Sequence, residues 1–164
     1  MSNDRDLRVF RVYIKASRQQ VWDAVVDPAW NARYGYRVAS QYSELKPGGH
    51  LRVVPSEEMQ AHGAPPLMID GEIIEADAPH RLVQTYRMYF TPEMGQEPYT
   101  TVTYEIVEEG PELSRLTVTH DVTGAPQHAA TIGSDTPLFE GGGGWAWIIS
   151  DLKSLLESGA SIGG

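Results

Sequence analysis

Residues 139–158 read FEGGGGWAWIISDLKSLLES. Four glycines, Gly141 to Gly144, run straight into two tryptophans and an apolar ladder. A phosphate cradle would set glycines so that backbone N–H groups converge on an anion, with a lysine and a hydroxyl directly after them. Here Trp145, Ala146 and Trp147 follow, the next lysine is Lys153, and a loop precedes the run. A flexible linker would join two foldable units, but a single helical pattern lies beyond the glycines. The remaining reading is a helix entry, where the chain bends and passes closely against the sheet, because glycine permits positive φ and brings no side chain to the contact. Trp145, Ile148, Ile149, Leu152, Leu155 and Leu156 then fall on one helical stripe, with Lys153, Ser154 and Glu157 opposite. The pattern predicts a helix over 144–158, stopped by Gly159, with a frayed tail after it.

Working back from that helix, the chain is nearly all strand. LRVFRVYIKA (7–16) alternates Leu7, Val9, Arg11 and Tyr13 on one face with Phe10, Val12 and Ile14 on the other. The period changes at SRQQVWDAVVD, where Ser17 and Gln20 form a capping-box pattern ahead of Val21, Trp22 and Val25. Asp27 and Pro28 then read as N-cap and first residue of a second, short helix. From Tyr36 to Asp121 six strands follow, RVASQYSEL, HLRVV, LMIDGEIIEAD, HRLVQTYRMYF, YTTVTYEIVEE and LSRLTVTHDVT, punctuated by turns rich in proline and glycine. Residues 55–66 and 124–138 read as loops. Short connections make an antiparallel meander. The expected fold is α+β: a curved seven-stranded antiparallel sheet wrapped around a long C-terminal helix, a helix-grip, with two short helices between strands 1 and 2. One domain is expected over 1–164, with an ordered core over 7–158.

Composition narrows the function. Twenty-two acidic residues against thirteen basic give a net charge of −9, and the basic residues are scattered singly. Such a surface repels phosphate backbones and anionic lipid, so neither nucleic acid nor membrane is expected as a partner. The chain has no cysteine, hence no thiol nucleophile and no disulfide framework. No export signal is visible in MSNDRDLRVFRVYIKAS, and a cytoplasmic location is expected.

A glycine-flanked tryptophan opening a terminal helix, as in GGGGWAWIISDLKSLLESG, resembles the C-terminal signature of the activator of heat-shock-protein ATPase homologue family. This family belongs to the SRPBCC superfamily, with the birch pollen allergen and START domains. ASRQQVWDAVVDPAW, LKPGGHLRV, GEIIEADAPHRLVQTY and SRLTVTHDV match further pieces, in order, over nearly the whole chain. The resemblance implies a hydrophobic cavity between sheet and long helix. It carries over no catalytic set, because the family shares none. NARYGYRV (31–38) departs from the pattern, standing where the family usually has a second tryptophan.

Alternation assigns the side chains that face such a cavity. In the last strand Leu116, Val118 and His120 share a face, with Asp121 outward. In the strand before it the set is Val102, Tyr104 and Ile106, and in HRLVQTYRMYF it is Leu82, Gln84, Tyr86 and Met88. Leu51 and Val53 join from the first hairpin. With Trp22 from the first helix and Trp145, Ile148, Ile149 and Leu152 from the last, these make an apolar wall carrying a few polar groups, suited to a small hydrophobic or aromatic molecule. His120 is the one histidine expected inside, neutral because burial disfavours its charge. It is the candidate acid/base of a polyketide-cyclase or hydrolase-like enzyme working with a tyrosine. A space-filling, hydrogen-bonded role is the competing account of it. A co-chaperone-like module contacting a chaperone is the third reading. His50, His62, His80 and His128 fall in turns or loops without metal-ligand spacing, so neither metal nor cofactor is expected. Glu72 lies mid-strand, and the pattern fits either face.

Overall fold

The period-two stretch near the N-terminus folds as β1 (Leu7–Ile14) in the computed structural model, which describes residues 4–163. Two helices follow, α1 (Arg18–Val26) and α2 (Pro28–Asn31), and both start as their sequences dictate. The Gln20 amide N–H donates to Ser17 Oγ at 3.1 Å, and Ser17 N–H donates to Gln20 Oε1 at 2.8 Å. Asp27 Oδ1 accepts from the Ala29 N–H at 2.9 Å, with Pro28 at the first helical position. These bonds satisfy donors that a helix start leaves without partners.

Six strands come next: β2 (Ser40–Tyr42), β3 (His50–Val53), β4 (Ile69–Asp77), β5 (Arg81–Met88), β6 (Thr100–Gly110) and β7 (Leu113–Asp121). All pair antiparallel in one sheet of order β1-β7-β6-β5-β4-β3-β2. The meander closes by laying β1 on β7, with Phe10 opposite Val118. In β4 the register shifts between Ile73 and Glu75. Ahead of this extra residue the alternation is regular, with Ile69 and Ile73 buried and Glu72 and Ile74 on the exposed face. Such bulges tighten the local bend of a strand.

Two helices occupy stretches expected as loops. The first, α3 (Glu57–Ala61), lies in 55–66; the second, α4 (Pro126–Ile132), lies in 124–138. Neither shows an apolar stripe. Ser56 Oγ caps α3 by accepting from the Met59 N–H. The cap of α4 comes from far away: Glu97 accepts from the Gln127 and His128 N–H groups at 2.7 and 3.0 Å. A carboxylate there satisfies free N–H groups and complements the positive end of the helix dipole. The strand read over RVASQYSEL is only three residues long.

The terminal helix α5 (Gly144–Ser158) lies on the concave side of the curled sheet and buries Trp145, Ile149, Leu152 and Leu155. Burying an apolar side chain of this size contributes about 1.5–3 kcal/mol. The glycine run enters this helix as expected, but the close contacts are with the end of α4 and the connection after it rather than with the sheet. A Cβ on Gly144 would lie 1.9 Å from the Ile132 carbonyl oxygen, and one on Gly142 would lie 1.8 Å from that of Thr136. Gly144 also sits at φ +57, a conformation that costs L side chains free energy. Beyond Gly159 the tail is held rather than frayed. Asp151, fully buried on α5, accepts from Ser161 Oγ at 2.8 Å and from the Ile162 N–H at 2.6 Å.

Candidate functional site

Between the β3–β5 end of the sheet and α5 lies a cavity of about 360 Å³. Ten of the residues expected on its wall are there: Leu51 and Val53 on β3, Gln84, Tyr86 and Met88 on β5, Tyr104 on β6, and Trp145, Ile148, Ile149 and Leu152 on α5. Four are not: Trp22, Val102, Val118 and His120. Their inward facing holds, since all four are buried. The concave face, however, serves two purposes. Toward β6 and β7 it is covered by α1, and β1 by α5, so side chains there are packed core. Only the opposite end is left open as a cavity.

The remaining wall comes from segments whose role the sequence did not disclose. Asn31, Tyr34, Gly35, Tyr36, Arg37 and Val38, all from the divergent NARYGYRV segment, line one side. Met59 of α3 and Thr131 and Ile132 of α4 line others. The segment after α2 is strapped to the terminal helix. Gly35 N–H donates to Asp151 Oδ2 at 2.8 Å. Tyr36 Oη donates to the Gly142 carbonyl at 2.8 Å and accepts from the Gly144 N–H at 3.0 Å. A tyrosine thus does at the entry of α5 what no side-chain cap does there. Tyr36→Phe is expected to lower unfolding free energy by about 1 kcal/mol and to speed amide exchange at Gly144 in native-state hydrogen exchange. Unchanged exchange would mean that the phenol does not hold the entry.

His120 is fully buried, and neither ring nitrogen is free. Thr100 Oγ1 donates to the Tyr86 carbonyl at 2.6 Å, so its contact with His120 Nε2 at 2.7 Å has the imidazole N–H as donor. His120 Nδ1 accepts from Trp145 Nε1–H at 3.0 Å. This chain, from Trp145 through His120 and Thr100 to the β5 backbone, fixes one neutral tautomer. Burial pushes the imidazole down to about 3. The ring stands behind Tyr86 and Trp145, edge-on to both at 5.3 and 6.1 Å between centroids. His120 is therefore a strut behind the cavity wall, and the role of acid/base on the wall does not fall to it.

A second buried histidine went unread. His128, which the sequence pattern places in a loop, is fully buried on α4. Its Nε2 accepts from the Met88 N–H at 2.8 Å, and its Nδ1 lies 2.6 Å from Glu97 Oε1. Burial pushes the Glu97 carboxyl up, but the His128 ring and the two backbone N–H groups outweigh it and hold the carboxyl below its usual range. Pro126 at the first helical position was the available signal for α4. No local signal marks Glu97 as the partner.

Of the polar groups expected on the wall from strand alternation, Gln84, Tyr86 and Tyr104 remain. Burial pushes both phenols well up, so they stand as neutral O–H donors. Among the described residues neither hydroxyl makes a hydrogen bond within the protein, and Gln84 Oε1 is the one buried side-chain polar atom without a partner.

A curled antiparallel sheet gripping a terminal helix over an apolar cavity defines a helix-grip protein of the SRPBCC type. The model of the family described as Activator of Hsp90 ATPase homolog 1-like protein matches residues 15–157, and the chain belongs to that family. No curated protein matches the sequence. Solved structures share the fold at low identity. CalU16 from Micromonospora echinospora is 21% identical, with 98% of this chain and 87% of that one covered at a TM-score of 0.63. MLL2253 from Mesorhizobium loti is 15% identical, covering 92% and 96% at 0.66. PFC0360w, an HSP90 activator from Plasmodium falciparum, is 17% identical, covering 91% and 86% at 0.54. Among the described residues no helix is long and apolar enough to cross a membrane.

Proposed function

We propose that this protein binds a small, largely apolar molecule in the cavity between the sheet and α5. The observation that carries this reading is the cavity itself: about 360 Å³ of space with an aliphatic and aromatic wall, within the range of small-molecule sites. A packed core of this size would otherwise be filled by side chains, since interiors tolerate few voids larger than a water molecule. The enzyme reading loses its base, because both His120 nitrogens are committed within the wall. The family supports either a ligand or a chaperone as partner, and the cavity favours the ligand.

A panel of flat aromatic and apolar dyes tests the proposal by thermal shift and by tryptophan emission. Trp145 lies on the cavity wall and should report occupancy. At a hundredfold excess over Kd a ligand adds about 2.7 kcal/mol to the folded state, enough for a clear rise in Tm. A panel without any shift in either signal would sink the container reading and bring the chaperone-contacting module forward.

A further inference from the structure

Gln84 is 1% exposed, lies on the cavity wall, and has an amide oxygen with no partner. Buried polar atoms are almost always hydrogen-bonded, so an orphan at a cavity wall points to a group that arrives from outside. Two further unpartnered groups stand near it. Tyr86 is two residues along β5, on the same face. Tyr104 is on β6, diagonal to Gln84, because Gln84 pairs with Val102. The Tyr104 ring is held edge-on by Trp145 at 5.9 Å, and the Tyr86 ring lies 6.1 Å from the same indole. The three polar groups thus border a surface of aromatic faces.

Charge narrows the class of ligand further. No carboxylate lines the cavity, and its one charged wall residue, Arg37, is exposed and donates to Ser161 Oγ. An ion at the buried end would have no counter-charge, which the low-dielectric interior disfavours. Resting on the container reading above, we infer that the buried end of the cavity recognises an uncharged hydroxyl-bearing aromatic, a phenol. Its O–H donates to Gln84 Oε1 while its oxygen accepts from the Tyr86 or Tyr104 hydroxyl. The Gln84 amide N–H faces the Tyr42 hydroxyl oxygen, so Oε1 is the amide atom left to meet a bound hydroxyl.

The test uses 2-naphthol and 2-methylnaphthalene, a pair of nearly equal shape, titrated calorimetrically into the full chain and into Gln84→Met. The wild-type preference for 2-naphthol is expected to fall at least about tenfold in Gln84→Met, because an unmatched buried polar atom penalises the methyl analogue only while the amide is present. The double variant Tyr86→Phe/Tyr104→Phe, which keeps both rings, serves if Gln84→Met does not fold. It should weaken 2-naphthol several-fold and leave 2-methylnaphthalene unchanged. A preference that is the same in wild type and Gln84→Met, or in wild type and the double variant, overturns the phenol site while the container reading stands. If neither aromatic binds the wild type, the phenol site falls, and the dye panel decides whether the container reading falls with it.

Discussion

Leu152→Ala is expected to lower the unfolding free energy by about 2–5 kcal/mol, read as a reduced urea midpoint at unchanged m-value. Leu152 is 1% exposed at the middle of α5, between the sheet and the cavity. Truncation removes apolar contacts on the sheet side and leaves space that the surrounding rigid strands cannot close. Part of its surface already faces the cavity, so fewer contacts are lost than at a fully packed site, and the lower half of the range is expected. The same change enlarges the cavity next to Ile148 and Ile149. Aromatic ligands too bulky for the wild type should then gain affinity while the smallest lose it. A stability loss below about half a kilocalorie would mean that α5 is not the element the sheet grips, since core leucines do not behave that way.

The grip was legible because its parts are local. The stripe from Trp145 to Leu156, the capping box at Ser17 and Gln20, and the alternation in β5, β6 and β7 each lie within one element, and each came out as read. What escaped has its cause elsewhere in the chain. Helix α4 is short and has no apolar stripe; it is started by Glu97, 30 residues before the backbone N–H of Gln127 that it accepts from. Asp151 looks like a surface residue of an amphipathic helix, yet it is buried because Gly35, Ser161 and Ile162 converge on it. Parity told which side chains point inward, and it was right about His120. It could not tell which inward positions meet packed helix and which meet open space, because that depends on where α1 and α5 rest.

His120→Phe separates a strut from a ligand contact. Phenylalanine fills the site but offers no acceptor, leaving the buried Trp145 Nε1–H without a partner, at a cost of about 1–3 kcal/mol. The larger ring adds a packing penalty of similar size. A total loss of about 2–6 kcal/mol is therefore expected, with ligand affinity per folded molecule nearly unchanged, because His120 does not touch the cavity. Acid titration adds an independent readout. In the folded chain burial holds the imidazole down at about 3, whereas in the unfolded chain it titrates near its ordinary value of about 6.5. Between those values the unfolded state binds a proton that the folded state refuses, so stability is full above about pH 6.5 and declines as pH falls toward 3. Between pH 6.5 and 5 this group alone removes about 1.6 kcal/mol from the wild type. His120→Phe lacks the group, so its stability should fall less over that interval, while carboxylates common to both proteins cancel in the difference. Parallel stability–pH curves would mean that His120 titrates freely, in contact with water. Lost ligand affinity at retained stability would return the imidazole to the cavity wall.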